Sequence, residues 1–106
     1  MYSIRKYECA DGRIPFDDWI SDLKNPINRA RLLKRLDKIQ LGNLGDWATI
    51  GDGVFELREH FGGGYRIYYG IEKQSVILLL CAGDKSSQTK DITLAKQYWQ
   101  DFKKGL

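Results

Sequence analysis

The chain has 106 residues, 42% of them hydrophobic, with three Trp, six Tyr and four Phe. That is enough to bury one core without staples, and it excludes a disordered chain. Seventeen basic residues against fourteen acidic ones leave a formal charge of only +3, so overall charge alone does not mark a polyanion binder, and any such function must rest on local clusters.

Cys9 and Cys81 lie far apart and fit no CxxC or zinc spacing. Both read as small apolar residues of a reduced protein. The first residues, MYSIRKYE, are polar and alternating, unlike a signal peptide. No run approaches the roughly 18 apolar residues of a membrane span. A single cytoplasmic domain over residues 1–106, without membrane, metal or cofactor, is expected.

In chain order, Tyr2 to Glu8 alternates as a strand does, at an edge or as a partner to a later sheet. Asp11-Gly12 is a turn. Pro15 opens a short helix in which Phe16, Trp19, Ile20 and Leu23 keep the i, i+3, i+4, i+7 spacing. Asn25-Pro26 caps a second helix running to about Leu41. Its expected inner face is Ile27, Ala30, Leu33 and Leu36, with Leu32 and Ile39 beside it. Its outer face is a basic stripe of Arg29, Arg31, Lys34, Arg35 and Lys38, a solvated surface or a nucleic-acid contact. Gly42 to Gly53 reads as a glycine-rich loop anchored by Trp47.

Three strands are expected next: Val54 to Phe61, Tyr65 to Ile71 and Ser75 to Ala82. Their connectors are Gly62-Gly63-Gly64 and Glu72-Lys73-Gln74, short enough for an antiparallel meander. A period of two puts Phe55, Leu57 and Phe61 on one face and Glu56, Arg58 and His60 on the other. Glu59 interrupts the apolar set. In the next strand Arg66, Tyr68 and Gly70 share a face. A polar turn follows from Gly83 to Gln88, then a closing helix from near Thr89 to Lys103 with a stripe of Ile92, Ala95, Trp99 and Phe102. The fold class is α+β: a small antiparallel sheet, made of the N-terminal strand and the meander, packed with an αα-hairpin and a C-terminal helix.

One strand face thus gathers Glu56, Arg58, His60, Arg66 and Tyr68. RNA can be cleaved without a metal when the ribose 2′-OH attacks the adjacent phosphate. The reaction needs a base, an acid, and cations for the charge on phosphorus. Arginine forks match phosphate oxygens and stay protonated. Arg58 and Arg66 could grip one phosphate, with Lys85 joining them. Glu56 or His60 could be the base, and a lysine or His60 the acid. Tyr68 could stack on a base. Each residue also has a plain structural reading: an in-strand ion pair, a structural histidine, a strand-forming tyrosine.

The segments GVFELREHFGGGYRIYYG and VILLLCAGDKSSQTKDITLAKQYW closely resemble the RelE/ParE superfamily of bacterial toxins, in particular the addiction-module killer branch near the HigB-like toxins. The resemblance covers essentially the whole chain. It implies a sheet backed by helices and an antitoxin partner that blocks activity, with DNA involved only through the antitoxin. RelE-like members cut mRNA on the ribosome, whereas ParE-like members inhibit DNA gyrase without nuclease activity. The motif positions carried over are Arg58, Arg66 and Lys85, and they favour a ribosome-dependent endoribonuclease that inhibits translation over a gyrase inhibitor or a degenerate toxin that only binds its antitoxin. The chain departs from the pattern in ending on a helix, without a tail bearing a catalytic tyrosine, and in lacking a lysine pair near Gly42 to Gly53.

Overall fold

A computed structural model of the chain describes residues 1–105. It is an α+β fold with one five-stranded sheet and three α-helices. The first strand, β1, is Ser3–Lys6. Helix α1 spans Pro15–Asp22, with proline in its first turn and Asp17 and Asp18 near its positive end. Helix α2 spans Pro26–Gln40; the Asn25 side chain accepts hydrogen bonds from the backbone N–H groups of Ile27 and Asn28. The helix stops in a Schellman arrangement. Gly42, at φ 89°, donates to the carbonyl of Ile39, and Asn43 donates to that of Lys38.

The remaining strands are β2 (Asp46–Gly51), β3 (Val54–Arg58), β4 (Arg66–Glu72) and β5 (Val76–Gly83). A 3₁₀ turn at Lys85–Ser87 leads into α3, Gln88–Lys103. The sheet order is β1-β5-β4-β3-β2. The three-strand meander forms as expected, antiparallel throughout. Two features differ from expectation. First, the N-terminal strand pairs parallel to β5, Ser3 opposite Val76, so the sheet is mixed. The reason is topological: α1 and α2 carry the chain across one face to the far edge, and the antiparallel strands then return β5 beside β1 in the same direction. Second, the glycine-rich segment contains an edge strand, β2. Asp52 and Gly53, at φ 59° and 83°, make a two-residue turn that folds β2 onto β3. Trp47 does not anchor it internally; the ring is half-exposed, edge-on to Phe55.

The helices take opposite faces of the sheet. On one side α1 and α2 bury Phe16, Ile20, Leu32 and Ile39 against Leu57, Ile67, Tyr69, Ile77 and Leu79. On the other, Ala95 and Trp99 of α3 pack on Val54, Tyr68, Leu78 and Leu80. Strand β5 is apolar on both faces because both are covered. Among the described residues, no helix is long and apolar enough to cross a membrane.

The phase of α2 also differs from expectation. Its buried residues are Leu32, Arg35 and Ile39, while Ile27 is 70% exposed and Leu33 45%. An arginine occupies the inner face because Glu59 lies opposite. Arg35 Nε is 3.0 Å from Glu59 Oε1, and Arg35 Nη1 donates to the Asn43 carbonyl at 2.8 Å. Two pattern-breaking residues, one in the helix and one just past β3, therefore neutralise each other in the interior.

A candidate active site at the end of the sheet

Strands β3 and β4 are paired so that Glu56 faces Tyr68 and Arg58 faces Arg66. All four side chains belong to the α3 face. Toward the middle of the sheet α3 covers that face, and Tyr68 is fully buried there. At the sheet's end only the first residue of α3, Gln88, reaches over, and the arginines come to the surface.

Glu56 is the hub of this cluster. It is 1% exposed, and its carboxylate is fully engaged. Oε1 accepts from Arg58 Nε at 2.7 Å and lies 3.6 Å from Arg66 Nε. Oε2 accepts from Gln88 Nε2 at 3.1 Å. Arg66 Nη1 donates to the Gly64 carbonyl at 2.8 Å, which fixes the far side of its fork. Two guanidinium groups are thus held on one buried carboxylate, Arg58 at 40% side-chain exposure and Arg66 at 15%. Lys85 lies across the β3–β4 connector. Its backbone N–H donates to the Gly63 carbonyl at 3.2 Å. Gly64, at φ 73°, separates it from Arg66: a Cβ there would stand 3.6 Å from Arg66 Nη1 and 3.7 Å from Lys85 Cβ.

The rim on the other side comes from β2. Asp46 is paired opposite Arg58. Its Oδ1 is 3.9 Å from Arg58 Nη1, and its Oδ2 is 2.7 Å from His60 Nε2. His60 is 75% exposed, with its ring held by this one carboxylate. A polar chain therefore runs His60–Asp46–Arg58–Glu56–Gln88, with Arg66 beside Glu56 and Lys85 at the edge.

The electrostatics follow from these contacts. The Glu56 hydrogen bond, then its charge, holds Arg58 protonated above the usual guanidinium range. Burial, followed by the Glu56 charge, pushes the Tyr68 phenol far above its ordinary value, so it stays neutral. The Tyr68 hydroxyl and Arg66 Nε have no protein hydrogen-bond partner at the floor of the cluster. Hydrogen bonds from Ser86 hold Asp84, which caps the 3₁₀ turn, below the usual carboxylate range. Among the described residues, no group of three or more His, Cys, Asp or Glu is placed to hold a metal ion.

Of the five residues expected in catalysis, Glu56, Arg58 and Arg66 are in direct contact, His60 joins them through Asp46, and Lys85 flanks them. The expected RNA-contacting set divides. Arg29 donates to the Leu23 carbonyl at 2.9 Å and ties α2 to the end of α1. Arg35 is buried with Glu59. Arg31, Lys34 and Lys38 remain at the surface. Tyr68 has no exposed ring face on which a base could stack, because α3 covers it. Asp46 and Gln88 were not anticipated. Both signals lie in the sequence: the alternation through Trp47-Ala48-Thr49-Ile50 into Asp52-Gly53 marks a strand, and Gln88 begins a helix just past Lys85.

A family model described as "Phage derived protein Gp49-like (DUF891)" matches residues 18–100, which include every member of this cluster. The chain belongs to the Gp49-like family. This is a RelE/ParE-like toxin family of toxin–antitoxin modules. Membership in the Gp49-like family implies an antitoxin protein as partner. A curated relative from Haemophilus influenzae, described as "Uncharacterized protein", is 44% identical over 89 residues, covering 84% of this chain and 90% of that protein.

Proposed function

We propose that this chain is a HigB-like toxin that cuts mRNA on the ribosome by metal-independent 2′-OH attack. One observation carries the reading. Arg58 and Arg66 are clamped side by side on a buried carboxylate, at the end of the sheet where its α3 face opens. Two fixed guanidinium groups form a fork for a phosphate whose negative charge grows as the 2′ oxygen attacks. His60 takes the proton from the 2′-OH, its ring oriented by Asp46. The O2′–P bond forms and the P–O5′ bond breaks. Lys85 supplies the proton to the departing 5′ oxygen, leaving a 2′,3′-cyclic phosphate and a free 5′-OH. Glu56 is a positioning residue, since both its oxygens are engaged and it does not reach solvent. The test is induction of the chain alone in a bacterial host, with pulse labelling of protein and DNA and primer extension on an abundant mRNA. New mRNA ends with immediate arrest of translation are expected; Arg58→Ala and Arg66→Ala should abolish both while leaving the fold intact. Full toxicity in both variants would refute the assignment.

A second reading, a gyrase-inhibiting toxin of the ParE type, is favoured by the apolar stripe of Ile27, Ala30 and Leu33 on the outer side of α2. There the helical hairpin is the effector surface. Intact mRNA with DNA breaks, lost in Leu33→Glu/Lys34→Glu on that outer surface and retained in Arg66→Ala, would favour it.

A further inference from the structure

Residues 31, 34, 35 and 38 of α2 are spaced i, i+3, i+4, i+7 and lie on one side of the helix. Arg31, Lys34, Arg35 and Lys38, with Glu59 and Phe61, line a cleft of about 210 Å³ between α2 and the β3–β4 connector. Arg35 already neutralises Glu59, so the floor of the cleft carries no free charge. The other three cations have no ion-pair partner among the described residues. Arg31 lies flat on Phe61, its guanidinium 3.8 Å from the ring centre. That stacking fixes the group and leaves its N–H donors at the edge of the plane. The cleft is small, positive and partly preformed, with one aromatic ring in its wall.

Its position links it to the cluster at the sheet's end. Arg58 belongs to the α3 face, whereas Glu59 and Phe61 border the cleft on the α2 side. His60, between them in sequence, joins the cluster. The chain from Arg58 through His60 to Phe61 therefore joins the fork to the wall of the cleft, and a strand that leaves the fork past His60 runs toward it.

We infer that this cleft is a second phosphate subsite for single-stranded RNA. It holds a backbone phosphate of the substrate strand near the scissile one through Arg31, Lys34 and Lys38. The inference rests on the nuclease reading for its substrate and adds a defined site, which sets the path of the strand. Phosphate contacts position a strand without reading its sequence, so the cleft contributes register and not base choice.

The test measures binding to a fully 2′-O-methylated RNA oligonucleotide, which cannot be cut, across a series of salt concentrations. Losing one phosphate contact to a single strand lowers the log–log salt slope by about 0.7. Lys34→Ala/Lys38→Ala should show that drop, with an unchanged thermal midpoint because both side chains are exposed. Lys104→Ala, at the other end of α3, should keep the parent slope. Cleavage of ordinary RNA or ribosome-bound mRNA by the double variant should fall at low substrate and recover at saturation. A parent-like slope in the double variant refutes the subsite, even where cleavage is intact. Loss of antitoxin binding with RNA binding unchanged refutes it as well and assigns the cleft to a protein contact. If no RNA is ever cut and the slope still drops, the nuclease reading fails while the cleft stands as a phosphate site for bound single-stranded RNA.

Discussion

Removing the Glu56 carboxylate separates a positioning role from a chemical one. In Glu56→Ala, Arg58 loses a hydrogen bond of 2.7 Å, Gln88 loses one of 3.1 Å, and Arg66 loses its nearest counter-charge at 3.6 Å. A hydrogen bond to a charged group contributes about 1.5–3 kcal/mol when buried. Arg58 adds little, because its exposed guanidinium can turn to water. The Gln88 bond adds about 1 kcal/mol, and the unpaired, mostly buried Arg66 adds about 1–2 kcal/mol more. The expected loss of about 2–3 kcal/mol lowers the melting temperature by about 8–24 °C. Arg58→Ala should shift the melt far less, since Glu56 keeps Arg66 and Gln88. Thermal melts followed by circular dichroism measure both. Glu56→Gln retains the shape and one acceptor; it should cut RNA at a rate reduced by roughly a hundredfold through misplacement of the arginines, with the pH profile unchanged in form. A Glu56→Ala variant melting within about 4 °C of the parent, the shift of less than 1 kcal/mol, would refute the hub. Loss of the acidic limb of the pH profile in Glu56→Gln would make Glu56 the base.

Three further outcomes are expected. Gly70→Ala puts a methyl group into the Trp99 ring; repacking costs about 1–3 kcal/mol, read as a shifted urea midpoint, and a parent-like midpoint would place Trp99 elsewhere. Cys81 is buried, and its thiol is pushed up to about 12 by burial and then by Asp91; an aromatic disulfide reagent should label half-buried Cys9 in the native protein and Cys81 only on unfolding, so rapid labelling of both would contradict the packing under α3. Burial pushes Tyr69 up to about 12, against about 10 in an unfolded chain. Because the folded value is the higher, the stabilising contribution is complete below about pH 10 and is lost as pH rises toward 12. Tyrosinate absorbance of the buried rings should therefore appear together with loss of the fold, and titration of every tyrosine in an intact fold would refute it.

Much of this arrangement was legible in the chain. The period of two across Glu56, Arg58, Arg66 and Tyr68 puts these side chains on one face whatever the rest of the fold does. Asn25-Pro26 and Gly42 mark the ends of α2 because caps are local chemistry. What failed was long-range. Nothing within α2 says that Arg35 turns inward, because its reason is Glu59, twenty-four residues later. The same partner swings Ile27 and Leu33 outward. Tyr68 looked available for stacking because strand alternation does not report which face a later helix covers. The β2 strand was hidden by its glycines, although Asp52-Gly53 is a local hairpin signal strong enough to have revealed it. The burial of Glu56 was the costliest omission, for it turns a candidate base into a support.

The parallel pairing of β1 with β5 has a consequence for synthesis. Ser3 is made long before its parallel partner Val76. Until then the sheet lacks both an edge and its most apolar strand. Gln88, which completes the shell of Glu56, comes later still. Synthesis of the start of α3 therefore finishes the cationic cluster, and a nascent chain that has not reached it carries Arg58 and Arg66 without the framework that holds them together. The order in which the residues are made therefore puts assembly of the cluster after all of its arginines.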